Sequence, residues 1–191
     1  MREVVIRAYI DSDLEAVVRC FGRSVREIGA RYYAPEQIAA WASESSNMDA
    51  WANHLRSGGV FVADVDGDIA GFVRVRANGF VDLLYVHPDY ARRGIGRELL
   101  QVACSWAVDR GARKLESEAS IAACPLFEAM GFRVEREQFV RRRGVGFRNF
   151  RMARDADAEQ ADAPDRQPGL AACCRSVMGS LRRLRRLWRL K

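Results

Sequence analysis

Apolar residues recur along this chain with two different periods, and the changes of period mark its elements. Residues 4–9 read as a first strand. Beyond Asp11 and Ser12, either of which suits a helix cap, Leu14, Val17, Val18, Phe21, Val25 and Ile28 repeat at helical spacing as far as Gly29. A second helical stretch opens at Pro35, whose fixed φ fits a first turn. It carries Ile38 and Trp41, then the region of Met48, Trp51 and Leu55, until Gly58-Gly59 breaks the pattern. Three strand-like runs follow at 60–65, 69–76 and 80–86, separated by Asp66-Gly67 and Asn78-Gly79. Tight turns favour these dipeptides because glycine accepts positive φ, so the three runs predict an antiparallel meander. Ile95, Leu99, Val102, Ala103, Trp106 and Ala107 make the stripe of a further helix, which Gly111 ends. A strand at 114–119, a short helix at 122–130 and two strands around Arg143-Gly144 complete the series.

The resulting order, βααβββαβαββ, predicts an α+β (mixed α/β) domain around one mixed, mostly antiparallel sheet with flanking helices, not a doubly wound fold. With 191 residues, 49% of them hydrophobic, the chain suffices for one sizeable core plus an appendage. The composition shifts abruptly at 155–169 to Asp, Ala, Glu, Gln and Pro, which predicts a domain at 1–154, a disordered acidic linker at 155–169 and a tail at 170–191.

Charge is unevenly placed. Of the formal net charge of +6, the tail holds seven basic residues and no acidic ones, so the rest sums to −1 and the basic pI gives no reason to expect specific nucleic-acid binding by the main domain. In the tail, Val177, Leu181, Leu184 and Trp188 recur at helical spacing among five arginines, Arg182, Arg183, Arg185, Arg186 and Arg189. That pattern is an amphipathic cationic helix with three open readings: contact with anionic membrane, contact with nucleic acid, or docking back on its own domain or remaining disordered. The N-terminus has no signal-peptide pattern and no apolar run is long enough to span a membrane, so a cytoplasmic protein is expected. Five scattered cysteines without C-x-x-C spacing suit neither a disulfide framework nor a metal site.

The segment richest in chemistry is Val86-His87-Pro88-Asp89-Tyr90-Ala91-Arg92-Arg93-Gly94-Ile95-Gly96-Arg97. A strand runs into a loop with two arginines and two glycines, and the loop opens onto an amphipathic helix. Close backbone approach, unpaired first-turn N–H groups and the helix dipole suit a pyrophosphate, with Arg92, Arg93 and Arg97 adding charge. The third glycine of a dinucleotide fingerprint is absent, Leu99 standing there, and no Gly-Lys-Ser/Thr follows as in a P-loop.

With these residues the chain resembles the GNAT superfamily of acyl-CoA-dependent N-acetyltransferases. The superfamily's Q/R-x-x-G-x-G/A loop aligns with Ala91-Arg92-Arg93-Gly94-Ile95-Gly96, departing at Ala91, and its late motif aligns with the segment from Pro125 to Phe132. The segments 32–41 and 146–152 look like the bacterial YafP-like branch. The resemblance implies acetyl-CoA as co-substrate, bound by Arg92, Arg93, Gly94, Ile95, Gly96 and Arg97 and by the backbone of Leu84, Tyr85 and Val86. It further implies a splayed pair of strands, 80–86 and 114–119, direct attack by a small-molecule or protein primary amine, and no metal.

For proton transfer the candidates are Asp82 and Tyr85. Strand alternation puts Phe80, Asp82, Leu84 and Val86 on one face, where a carboxylate among apolar neighbours serves as a base, binds substrate or simply forms a salt bridge. Glu116 and Glu118 share a face of the partner strand and either point into the groove or are solvated outer-face charges. The resemblance puts Phe127 where relatives carry a tyrosine that protonates the leaving thiolate, leaving Tyr32, Tyr33 or Tyr85, or water, for that step. Tyr32, Tyr33 and Trp41 either line the amine pocket or pack one helix on another. His54 and His87 receive no role. Besides an acetyltransferase, two other functions are compatible with the sequence: a degenerate acyl-CoA-binding regulatory module and a tail-driven membrane or nucleic-acid tether.

Overall fold

The computed structural model describes residues 3–156; the expected linker beyond Ala156 and the basic tail lie outside the described residues. Strand β1 (Val5–Ala8) leads to three helices, α1 (Leu14–Arg23), α2 (Pro35–Ala42) and α3 (Met48–Leu55), and then to the meander β2 (Gly59–Val65), β3 (Asp68–Val75) and β4 (Phe80–Val86). Helix α4 (Ile95–Val108), β5 (Lys114–Ser120), α5 (Cys124–Ala129), β6 (Arg133–Arg142) and β7 (Val145–Asp155) follow. The strands form one mixed sheet in the order β1-β2-β3-β4-β5-β7-β6, antiparallel except for β4 beside β5. Two of the hairpins turn where expected: Asp66-Gly67 and Arg143-Gly144 both have positive φ at both positions.

The sheet buries both faces. On one side α4 and α5 cover Val73, Val75, Leu115 and Met152 with Leu99, Leu100 and Phe127; on the other α1, α2 and α3 cover Val62 and Phe72 with Val17, Phe21, Trp41 and Trp51. Cys20, Cys104 and Cys124 are buried. No described helix is long and apolar enough to cross a membrane.

Local chemistry corrects several sequence expectations. The first helix is introduced by Asp13, not Asp11 or Ser12: its carboxylate accepts from the Ile10 N–H at 2.9 Å and from Arg7 at 2.7 and 2.9 Å. Gly29 does not end that helix. The chain widens into a π turn at Ser24–Ile28 and then tightens into a 3₁₀ turn at Gly29–Arg31, with Gly29 close enough to α2 that an added Cβ would lie 3.1 Å from Ile38 Cδ1. The second helical stretch is two helices separated by a 3₁₀ turn, and the Asn47 side chain caps α3 by accepting from the Ala50 N–H at 3.0 Å. At the other end, β7 runs to Asp155, and the Ala156 N–H just beyond it donates to the Arg113 carbonyl.

Candidate active site

The site begins where the sheet opens. β4 and β5 pair only at Phe80 with Glu116 and Val81 with Ser117, a contact reinforced by the Ser117 hydroxyl, which donates to the Val81 carbonyl at 2.9 Å. Beyond Val81 the strands separate, leaving a cleft of about 70 Å³ whose lining includes Leu84, Tyr85, Ser120, Phe127 and Asn149. On its other edge β4 is held by β3, and the His87 N–H donates to the Ala70 carbonyl. Because backbone groups alternate sides along an antiparallel strand, the Tyr85 N–H also faces β3, whereas those of Leu84 and Val86 face the opening. Of the three backbone groups the resemblance named, two are therefore available to a ligand.

A β-bulge at Asp82 changes the faces of this strand. Arg74 pairs with Leu83 and Val75 with Val81, so Asp82 is the extra residue. Alternation consequently slips by one, and the expectation of a single face from Phe80 to Val86 fails. Leu84 and Val86 pack on the α4 side, whereas Leu83 and Tyr85 pack on the α1 side. Phe80 and Asp82 line a second cavity of about 470 Å³ together with Trp51 and His54 of α3, Glu118 of β5, and Arg142 and Arg143 of the β6–β7 hairpin. Asp82, Glu118 and Arg142 border both the cavity and the cleft, so the two meet there.

The Asp82 side chain is only 9% exposed and is surrounded by cations. Its Oδ2 accepts from Arg74, from Arg76 at 3.3 Å and from His54 Nε2 at 3.2 Å, while Oδ1 is buried without a partner. Arg74 is itself held by the Ser57 carbonyl at 3.0 Å and hydroxyl at 2.9 Å. Burial opposes the carboxylate charge, but the His54 hydrogen bond and the fields of Arg74, His54 and Arg76 outweigh it and hold the group below the ordinary aspartate range.

At the far end of β4 the loop has the geometry that anion binding requires. Arg92 and Gly94 adopt positive φ, and Gly94 caps α4, its carbonyl accepting from the N–H groups of Arg97 at 2.9 Å and Glu98 at 3.2 Å. An added Cβ on Gly94 would meet only Glu98 Oε1, at 3.7 Å, so space above this residue is open. On Gly96 it would lie 3.1 Å from Leu126 Cδ2 and 3.4 Å from Val86 Cγ2, so this glycine seats the helix against the end of β4. Arg93 is engaged locally, donating to the Asp89 carbonyl at 3.0 Å and lying over the Tyr90 ring; Arg92 is exposed. Ile95 is buried and anchors the first turn in the core.

Comparison with known proteins agrees with this architecture. Residues 30–154 match the family described as acetyltransferase (GNAT) domain. The chain belongs to the GNAT family of N-acetyltransferases. It is 34% identical over 152 residues to the uncharacterized N-acetyltransferase YafP of Escherichia coli K12, a match covering 80% of this chain and 96% of that protein. Among solved structures, a GCN5-related N-acetyltransferase from Rhodopseudomonas palustris superposes with a TM-score of 0.78 at 28% identity, over 81% of this chain and 98% of that one. PaiA N-acetyltransferase of Thermoplasma acidophilum, solved with coenzyme A, shares the fold at a TM-score of 0.66 and 21% identity, over 80% and 99% of the two chains. GNAT enzymes take acetyl-CoA as the acetyl donor and need no metal; no group of metal-ligating side chains is present among the described residues.

Within this GNAT domain the aromatic candidates separate. Tyr33 and Trp41 line the cleft and meet edge to face at 5.5 Å, but the Tyr33 hydroxyl donates to the Arg148 carbonyl at 2.9 Å and accepts from the Ile121 N–H at 3.0 Å. It ties β7 to the loop after β5. Tyr32 borders neither the cleft nor the cavity and packs at the edge of the α1-side core. Tyr85 stacks on Phe72 with centroids 5.4 Å apart, and burial pushes its phenol up to about 12. Phe127 borders the cleft and brings no hydroxyl. Glu116 is paired with Lys114 and Arg151, while Glu118 reaches the cavity. His54, given no role from sequence, stands in a polar helical stretch, and the packing of α3 over the Asp82 bulge brings it to that carboxylate.

Proposed function

We propose that this protein transfers the acetyl group of acetyl-CoA to a primary amine held in the 470 Å³ cavity, by direct attack across the opening between β4 and β5. The observation that carries this reading is the connection of three features along a single strand: an anion-binding helix start after Val86, unpaired backbone N–H groups at Leu84 and Val86, and an ionised carboxylate cluster at Asp82.

Each feature has a task. The backbone around Gly94, Ile95 and Gly96, with Arg92, Arg93 and Arg97 nearby, receives the pyrophosphate. The free Leu84 and Val86 N–H groups bind the pantetheine arm and, at the thioester, polarise the carbonyl as negative charge develops on its oxygen. Holding amine and thioester together supplies much of the acceleration as effective molarity. Asp82 attracts the cationic amine and takes part in removing its proton, and Trp41 lines the cleft. Tyr85, whose phenol borders the cleft and unlike that of Tyr33 is not tied to two backbone groups among the described residues, returns a proton to the leaving thiolate.

Thiol release from acetyl-CoA tests the reading directly. Release should depend on added primary amine and yield one equivalent of acetylated amine per thiol. Acetyl-CoA binding without amine-dependent release from a broad amine panel would instead favour a binding module.

A further inference from the structure

We infer that His54 is the group that accepts the amine proton, and that Asp82 acts through it as a positioning residue. His54 lines the amine-side cavity with its side chain 43% exposed, and its Nε2 lies 3.2 Å from the buried Asp82 Oδ2. Asp82 in turn is clamped by Arg74 and Arg76. This inference rests on the cavity being the amine site.

The chemistry follows from which partner is ionised. A carboxylate accepts hydrogen bonds and cannot donate them, so Asp82 selects the tautomer of His54 with the proton on Nε2. The lone pair is thereby left on Nδ1, which makes no hydrogen bond among the described residues. Asp82 itself is a poor acceptor. Its proton affinity is held down by the His54 hydrogen bond and by Arg74 and Arg76, whereas the His54 Nδ1 lone pair has no such competitor. The other charges around the ring are Arg74 and Arg76 from β3 and the turn after it, Glu118 from β5, Glu44 from the turn after α2, and Arg142 and Arg143 from the β6–β7 hairpin. Arg142 is neutralised by Glu44 at 3.0 Å.

The proton count balances. One proton passes from the ammonium to His54 Nδ1, freeing the nitrogen lone pair to form the C–N bond at the thioester carbon. As the tetrahedral adduct collapses the C–S bond breaks, the Tyr85 phenol protonates the leaving thiolate, and the second proton shed by nitrogen restores the phenol. The imidazolium releases its proton to water through its exposed edge.

The test follows thiol release from acetyl-CoA from about pH 5.5 to 9 with putrescine, glucosamine and lysine as amine probes. His54→Gln should lower kcat by about 100-fold at neutral pH, leave the acetyl-CoA KM unchanged and abolish the acidic limb of the profile. Free imidazole should restore part of the rate to His54→Ala. In Asp82→Asn the limb should persist but move to lower pH, because the imidazolium has lost its anion. Wild-type turnover with an unchanged pH profile in His54→Gln would overturn the inference while leaving the acetyltransferase reading intact. If wild-type turns over none of the three amines, the assignment of the cavity fails for those probes. The dyad is then decided by the ¹⁵N shifts of the His54 ring: the proton on Nε2 supports it, and the proton on Nδ1 overturns it.

Discussion

The loop around Gly94 and the cavity wall around Asp82 lie at opposite ends of β4 and are built by opposite means. The loop is made from consecutive residues and works through backbone groups: two positions at positive φ, a glycine cap and the first turn of α4. The wall gathers side chains from α3, β3, β4, β5 and the β6–β7 hairpin around one buried carboxylate. A site of the first kind tolerates changes of exposed side chains but not of backbone conformation. A site of the second kind is a network in which removal of one member leaves the others unpaired.

The largest effect is expected at the wall. Arg74→Ala leaves Asp82 without its most buried partner, and breaking a buried ion pair costs about 3–5 kcal/mol. For a domain of this size that lowers Tm by on the order of 10 °C, measurable by calorimetry. Arg92→Ala, on the exposed loop, should move Tm within about the effect of an ordinary surface substitution, ~0.5 kcal/mol. Equal losses for the two variants would erase the distinction.

Gly94→Val comes next. Left-handed backbone costs a side-chain-bearing residue about 1–2 kcal/mol, and the new side chain fills the open space over the helix start. The acetyl-CoA KM should rise tenfold or more, with only that modest loss of stability. A KM that stays constant would make the loop a plain turn. The smallest effect is expected for Phe127→Tyr, which places a hydroxyl at the border of the cleft. Its kcat should stay within about threefold of wild type, in either direction, because the Tyr85 phenol already borders the same space. A tenfold fall would show that the packing of Phe127 on Phe132, not the missing hydroxyl, governs this position.

The same contrast explains what was legible in the sequence. The order of elements, the meander, the dipeptide turns and the glycine-bearing turn into α4 were readable because each is local: a period, an Asp-Gly pair, or a glycine before an amphipathic helix. The bulge was not. Nothing in Phe-Val-Asp-Leu-Leu-Tyr-Val distinguishes a regular strand from one with an extra residue, and that one residue reverses the faces of Leu84 and Val86. His54 and Tyr33 were opaque for a related reason. Their partners, Asp82 at 28 positions away and Arg148 at 115, are set by tertiary packing, so neither the His54–Asp82 contact nor the Tyr33 tie leaves a spacing pattern. Helix ends proved intermediate: Asp13 outcompeted Asp11 and Ser12 as the residue at the helix start because it alone is held by Arg7, which β1 brings alongside.

The central claim is that the loop and the open strand pair form an acetyl-CoA site, and a thermal shift tests it most directly. At a concentration about 100-fold above its dissociation constant, acetyl-CoA should stabilise the folded protein by about 2.7 kcal/mol. That raises Tm by several degrees, roughly 5–10 °C for a domain of this size. NAD or ATP at the same concentration should give no comparable shift, since the loop lacks the rest of either nucleotide signature. Absence of any shift with saturating acetyl-CoA would contradict the account.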